Sequence, residues 1–552
     1  MNTLRQLGQK YNHWSIGHWA LGIGYFLDLL VLAVLAGTFR IWGIGFDLPN
    51  LYHRDEAKYV SIPLTILKSG DYNPHFFNYP TFFFYLLSVA YILYFLFMAS
   101  RGRLGNLDGL ALPEQVLPNV VGRATMPSQF LIGRGMVALS GVLTVLLVYW
   151  IGRKAYNRRA GFLAALLFSC SPIHIRNSHF IAPDVTMILV AMASFCFSYQ
   201  VLREGRRQDY LLAGFLAGLA MSTKYNAYPI FVPLLVAHLI NRSRRALLNT
   251  DLLLALLAGV AGFFLGTPYA LLDLPAFLNG LAFELRHYAM LGDPGTEGQN
   301  ALFWYASYLV RTEGLVPLVA GVEAVRDLVL ARSTQGRMRI QKTLWLLSFP
   351  VVYILLVSSY AVKNDRTVLT IVPFLAILAG AFLDGVFSSV QTWLAKQAVS
   401  SKQQAARSYI RYLLLTTCCL LLFFWPVWRA VQINMRFMQD DVRTQVTQWM
   451  EAELPPGSRV AGEYYSPLLV HSIHQFRWVD RAIDQPISWY EANADYVVFV
   501  ENRYGGFYLD PSRYPAQIAA YEAMFSQFTL VKEFQGGALG NPCRAKVYRV
   551  KP

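Results

Sequence analysis

The tetrapeptide His53-Arg54-Asp55-Glu56, followed by Lys58 and Tyr59, sets two carboxylates among cations and a phenol. A carboxylate held in this way can take a proton from an attacking hydroxyl or help to hold a metal. The plainer reading is that Asp55 and Glu56 favour the N-terminus of a helix over 57–68, where negative charge is stabilising. A third carboxylate, Asp184, ends the stretch His179-Phe180-Ile181-Ala182-Pro183-Asp184. An ionisable group at the edge of an apolar run is costly and is a functional candidate, although Pro183-Asp184 would also start a helix well.

Cations stand in comparable places. Lys224 interrupts an apolar run within Ser222-Thr223-Lys224-Tyr225-Asn226, and Arg366 opens another after Lys363-Asn364-Asp365. A lone lysine there can snorkel to the headgroups with no further role. Two cations facing two carboxylates point instead to an anionic ligand such as a phosphate. The stretch Asp71-Tyr72-Asn73-Pro74-His75-Phe76-Phe77-Asn78-Tyr79-Pro80 adds rings and amides able to pack on a sugar or a lipid head. Its alternative is a proline-rich connector. Asp55, Glu56, His75 and His179 offer oxygen and nitrogen ligands, but their spacing compels no metal, so a divalent ion stays open as a cofactor. The sequence holds no P-loop, no GxGxxG after a strand and no HExxH.

Membrane spans must position these groups. The chain is 55% hydrophobic and 15% charged, against about 25% charged in an ordinary soluble domain. Runs near the 20 residues that a span needs lie at 19–43, 130–152, 160–181, 185–202, 210–228, 229–241, 251–267, 303–331, 343–360, 367–388 and 409–429. The first run lacks a small-residue cleavage site and reads as a retained helix. The net charge of +15 is dispersed in short clusters between runs, which argues against nucleic acid as a partner. These clusters are Arg153, Lys154, Arg158 and Arg159; Arg203, Arg206 and Arg207; Arg242, Arg244 and Arg245; Arg332, Arg337, Arg339 and Lys342; and Lys396, Lys402, Arg407 and Arg411. With Arg5 and Lys10 they fall at every second turn of the chain, on the cytoplasmic side under the positive-inside rule. Counting 81–98 as a span would reverse every later loop, so that run is expected to lie along the outer interface.

Asp55, Asp184, Lys224 and Arg366 then emerge on one outer face. After Arg429 the chain becomes more polar, with strand-like runs at 496–500 and 545–550 and helix-like stretches at 441–453 and 513–527. The expected architecture is mainly α: a polytopic helical membrane domain over 1–430 and a small α/β extracytoplasmic domain over 431–552. The five cysteines show no CxxC pair and suggest no disulfide framework.

The ordered set His53-Arg54-Asp55-Glu56, Asn73-Pro74, Tyr79-Pro80, Pro183-Asp184, Thr223-Lys224-Tyr225, Gly266-Thr267-Pro268-Tyr269 and Arg366 with Pro373 resembles the GT-C membrane glycosyltransferases. The branch is that of the protein O-mannosyltransferases and the aminoarabinose transferase, which use phospholipid carriers. The resemblance covers roughly residues 20–390. It implies about eleven spans with interfacial helices in the first outer loop, and transfer of a sugar from a polyprenyl-phosphate donor to an acceptor at the outer face of the cytoplasmic membrane. It implies Asp55 as general base of an inverting displacement, with Glu56 and Asp184 beside it in the catalytic set. Arg54, Lys58, Tyr59, Lys224 and Arg366 would hold the donor phosphate; Asn73, His75, Tyr79, His179 and Asn226 would bind substrate. Partners would be the lipid-linked sugar, membrane lipids and an unnamed protein, lipid or glycan acceptor. Phe77-Asn78 replace the Glu-Lys pair that aminoarabinose transferases carry before the Tyr-Pro motif, which argues against lipid A as acceptor. The rival activities are a transporter or flippase of an anionic lipid-linked sugar, which should show two related halves with broken helices, and a scaffold acting through 430–552.

Overall fold

Apolar segments that leave water must satisfy their backbone hydrogen bonds internally, and here they do so as helices. The computed structural model describes residues 23–117, 120–242, 249–290, 297–329, 334–397, 402–467, 472–538 and 541–550. Arg5, Lys10, Arg244, Arg245 and Arg332 lie outside the described residues, as do the side chains of Arg54, Arg242, Lys396, Lys402, Arg407 and Arg411. The first described helix is α1 (Ile23–Ile41). It continues with α2 (Arg54–Ser69), α3 (Phe82–Ser100), a hairpin of β1 (Glu114–Leu117) and β2 (Val120–Arg123), and α4 (Pro127–Ala155). The bundle then adds α5 (Arg158–Ser169), α6 (Pro172–Asn177), α7 (Pro183–Arg203), α8 (Arg207–Thr223), α9 (Phe231–Arg242) and α10 (Thr250–Gly266). After a short α11 (Tyr269–Leu272) and α12 (Leu274–Met290) come α13 (Ala301–Glu313), α14 (Val316–Val329), α15 (Thr334–Ser358), α16 (Asp365–Val368), α17 (Val372–Gln397) and α18 (Lys402–Phe437).

Among the described residues six helices are long and apolar enough to cross a membrane, beginning at Ile23, Phe82, Pro127, Pro183, Gly336 and Asp365. The protein is a multi-pass membrane protein. Two expected spans are corrected. The run 160–181 is divided by Ser171-Pro172 into α5 and α6; twelve residues reach only about 18 Å, short of the ~30 Å hydrocarbon core. The run 303–331 is divided at Gly314, whose φ of +64° ends α13. Helices α8 and α10 pack backbone to backbone: a Cβ on Gly214 would fall 1.9 Å from the Ala255 carbonyl oxygen. Small residues allow this approach where lipid supplies no hydrophobic drive.

The charged ends of the bundle sort into two levels. At one level Arg158 pairs with Asp28 at 2.7 Å, Lys342 donates to the Ala155 carbonyl at 2.9 Å, and Arg159 pairs with Asp384. At the other level lie the ends of α1, α8 and α10 and the starts of α2, α4 and α7. Helix α3 belongs wholly to this second level. Thr81, just before it, donates to the Gly266 carbonyl at 2.8 Å, and Tyr94 bonds Ser128 at 2.8 Å. Thirteen helical residues rise about 20 Å, so a crossing helix would carry Tyr94 far from the start of α4. This agrees with the expected course of 81–98 along the bundle end.

Beyond α18 a five-stranded sheet has the order β4-β3-β5-β7-β6. The strands are β3 (Arg459–Glu463), β4 (Gln475–Val479), β5 (Tyr496–Val500), β6 (Thr529–Ala538) and β7 (Asn541–Arg549). Strand β3 runs parallel to β4 and β5, and the β5–β7 and β7–β6 pairs are antiparallel. α19 (Val442–Glu453), with Val442, Val446 and Met450, covers one face of the sheet; the helix over Pro515–Gln527 brings Tyr521 and Met524 to the other. This unit docks on the first loop of the bundle. Tyr52 bonds Thr444 at 2.8 Å, and the Arg443 guanidinium sits 3.9 Å over the Tyr52 ring. Farther along, Tyr514 donates to Glu297 at 2.7 Å.

Candidate active site

Adjacent residues on a helix point about 100° apart, and the first turn of α2 uses that divergence. Glu56 turns inward and is fully buried; Asp55 turns to a cleft and keeps 37% of its side chain exposed. Glu56 accepts two bonds from Arg134, at 3.0 and 2.8 Å, and one from the Ile181 backbone N–H at 2.9 Å. Burial alone would raise its pKa, but the Arg134 guanidinium holds it below the usual carboxylate value. Asp55 faces Arg366 at 3.7 Å. Arg366 is presented by a capped turn in which Asn364 accepts its N–H at 2.9 Å. The neighbouring Asp365 pairs with Arg176 and accepts from Tyr308 at 3.2 Å.

Two cavities meet at Asp55, Asn364 and Arg366. One, of about 230 Å³, is lined by Tyr52, His53, Arg176, Phe180, Asp365 and Tyr465. His53 stacks on Phe180 with centroids 4.8 Å apart, and its burial lowers its pKa. The other cavity, of about 290 Å³, is more aromatic, with Tyr59, Phe76, Tyr79, Phe283 and Tyr288 around Lys58, Glu284 and His287. The Lys58 ammonium sits 5.8 Å over the Phe76 ring. Burial pushes the Glu284 carboxyl up to about 7, with Lys224 opposing the shift.

Asp184 and Lys224 form a buried ion pair at 2.7 Å, with side chains 6% and 12% exposed. Neither lines these two cavities, but Lys224 lies near enough to Arg366 for the two cations to interact. Removing one partner of such a pair leaves a bare charge that costs about 3–5 kcal/mol. Lys224→Ala should therefore lower thermal stability by that order, and Asp184→Asn/Lys224→Met should restore most of it. A single variant as stable as the parent would refute the pairing.

The structure thus brings Asp55, Lys58, Tyr59, Tyr79 and Arg366 to one junction, with Asp184 and Lys224 behind it. Other residues expected at the site go elsewhere. Glu56 is spent on Arg134. His179 is buried, with both ring nitrogens on the Ile175 and Trp42 carbonyl oxygens at 2.9 Å and the ring stacked on Phe437. Asn73 and His75 lie on a surface turn: Asn73 donates to Asp273 at 2.8 Å, and exposed His75 bonds Asp71 at 2.8 Å. Asn226 donates to Tyr353 at 3.0 Å and lines neither cavity. Asp55, Glu56, His75 and His179, which left a divalent ion open, therefore do not converge, and among the described residues no three His, Cys, Asp or Glu side chains form a metal-holding group. The sequence reading missed Glu284, His287 and Tyr288. Their i, i+3, i+4 spacing with Phe283 on α12 was the available signal.

Residues 129–269, about a quarter of the chain, match the family model described as dolichyl-phosphate-mannose-protein mannosyltransferase. A Bacillus subtilis (strain 168) protein provisionally named as a mannosyltransferase, YkcB, is 26% identical over 140 residues, which are 25% of this chain and 20% of that protein. The match thus spans about a fifth of the length of that relative. Among solved structures, apo ArnT from Cupriavidus metallidurans superposes with a TM-score of 0.52 and 17% identity, covering 96% of this chain and 98% of its own. The Archaeoglobus fulgidus oligosaccharyltransferase in its apo form gives 0.51 and 13%, covering 92% and 73%. AglB from the same archaeon gives 0.50 and 14%, covering 95% and 74%. At these identities the likeness speaks for the fold. The chain thus shares the overall fold of these membrane-bound sugar-transfer enzymes, and its residues 129–269 are similar to the dolichyl-phosphate-mannose-protein mannosyltransferase family.

Proposed function

We propose that this protein transfers a sugar from a polyprenyl-phosphate-linked donor to an acceptor hydroxyl at the outer face of the cytoplasmic membrane, with inversion at the anomeric carbon. The observation that carries this reading is that Asp55 is a common wall of two cavities. A base there reaches an acceptor in one cavity while the anomeric carbon of a donor stands in the other. Asp55 takes the acceptor proton as the new C–O bond forms and the bond to the phosphate breaks. Arg366 and Lys58 hold the charge that grows on the departing phosphate. The Asp184–Lys224 pair behind them adds a fixed field. The aromatic lining of the larger cavity suits the sugar and first isoprene units of the donor, and AglB has been solved with a dolichol-phosphate.

The domain limits are taken as 1–430 and 431–552. Among the described residues Arg158, Arg159, Arg207 and Lys342 lie at the end opposite Asp55, which under the positive-inside rule turns both cavities and the C-terminal domain away from the cytosol. The test is to incubate purified protein in nanodiscs with polyprenyl-phosphate hexoses and pentoses of known anomeric form. Release of polyprenyl phosphate with an inverted product is expected; a retained anomer, or no release from any donor, would overturn the reading.

Glu284 makes donor binding depend on pH. Lys224 and Asp55 are the charges that act on it, and Lys58, His287, Arg366, Tyr79 and Tyr288 line the same cavity. Below about pH 7 its carboxyl is protonated, and above that it ionises and repels a phosphate. A phosphodiester-linked donor keeps one charge throughout, so its affinity should fall as pH rises from 6 to 8. A loss of several-fold, up to ~10-fold, follows from a like charge at partly screened range. Glu284→Gln should flatten the profile; an unchanged slope in that variant would exclude Glu284 as the titrating group.

A further inference from the structure

We propose that the C-terminal domain completes the acceptor site, with Tyr465 serving as a stacking platform for a pyranose ring beside Asp55, so that the accepting hydroxyl is carried by a saccharide. This inference rests on the glycosyl-transfer reading above. Its first support is topology. Strand β3 is followed by β4 on one side and β5 on the other, all three parallel, so the chain order reverses at β3. In open α/β sheets ligands bind outside the carboxyl ends of the strands at such a switch point. The residues that leave the carboxyl end of β3 are Tyr464 and Tyr465, and Tyr465 lines the smaller cavity together with Asp55.

The second support is backbone conformation. Tyr465 holds φ at +79°, a left-handed region that strains an ordinary L-residue and where glycine is the default. A bulky aromatic kept in such a place marks a side chain whose position matters. The ring is steadied by Tyr464, edge to face at 4.8 Å, and Arg503 lies over Tyr464 at 5.5 Å.

The third support is the chemistry of the cavity. Tyr465 offers a flat aromatic face to the apolar C–H side of a pyranose. Asn177, Asn364 and the Arg176–Asp365 pair offer the amide, cationic and anionic groups that vicinal hydroxyls bond. At about 230 Å³ the space is below the roughly 300–1,000 Å³ of sites for drug-sized ligands, which fits one ring and not an extended chain. So charged a lining is also a poor host for an acyl tail.

Full-length protein in nanodiscs can be examined by saturation-transfer NMR with methyl α-D-mannopyranoside and, separately, with N-acetylserinamide. Binding of polyprenyl phosphate is measured on the same samples. Saturation should reach the ring C–H protons of the glycoside in the parent and in Tyr465→Phe. Tyr465→Gly removes the ring yet suits the positive φ, so the fold is kept; glycoside affinity should fall roughly 3- to 10-fold with polyprenyl phosphate binding unchanged. Equal saturation in Tyr465→Gly and the parent, or transfer to the serine amide alone, overturns the proposal. Polyprenyl phosphate bound without any glycoside signal also overturns it while leaving the donor reading intact. Failure of the parent to bind polyprenyl phosphate instead removes the glycosyl-transfer reading itself.

Discussion

Asp55→Asn is expected to lower sugar transfer by at least ~10²-fold while leaving the affinity for polyprenyl phosphate nearly unchanged. Asparagine has the shape of aspartate and its amide oxygen can still accept from Arg366, which stands 3.7 Å away in the parent. What it cannot do is take a proton. The side chain is 37% exposed in the cleft, so the substitution buries no new polar group and the fold should persist. The kinetic signature is therefore a fall in kcat with little change in KM for the donor, the pattern of an interaction made only in the transition state. Arg366→Gln should behave differently, because it removes charge that both holds the donor phosphate and stabilises its departure; KM should rise as kcat falls. Single-turnover release of polyprenyl phosphate, with binding measured in parallel, separates the two. Transfer by Asp55→Asn at the parental rate would remove the proposed base.

Much of this arrangement is legible from the chain because charge inside or at the edge of an apolar run is expensive and needs a reason. Asp184 and Lys224 each interrupt such a run, and they meet as a buried pair. Asp55 and Arg366 emerge at the same bundle end and face each other. The C-terminal strands are written as β-branched and aromatic runs, YVVFV becoming β5. What the sequence hid has a common physical origin. Whether Asp55 or Glu56 faces the cleft is set by a helix rotation that acidic character does not encode. Arg134 sits in an apolar run as Asp184 and Lys224 do, yet its partner is 78 residues away and could be any acid that the fold supplies. Glu284 lies in a stretch that reads as a loop, and its helix gains meaning only from the cavity it closes. Two expected spans were broken by Ser171-Pro172 and Gly314, where capping and positive φ outweigh hydropathy.

The Glu56–Arg134 pair decides whether the acidic doublet carries one chemical role or two. Arg134 bonds Glu56 twice and donates to the Ile44 and Phe46 carbonyls at 2.9 Å, with its guanidinium 3.8 Å over the Phe46 ring. Glu56 in turn holds the Ile181 N–H. This one contact thus ties α2 and α4 to the turn before α7 and to the loop that meets the C-terminal domain. Arg134→Met should cost about 3–5 kcal/mol, because Glu56 is left buried without its countercharge. The loss would show as a markedly lower unfolding temperature and, through misplacement of Asp55 next door, as weak transfer. Glu56→Met/Arg134→Met removes both charges and should recover most of the stability, since an apolar pair of similar volume is often no worse than a buried ion pair. If Glu56 only positions α2, the double variant regains transfer together with its fold. A double variant that unfolds like the parent but fails to transfer sugar would show that Glu56 takes part in the reaction itself, whereas parental stability in Arg134→Met alone would deny the pair its structural role.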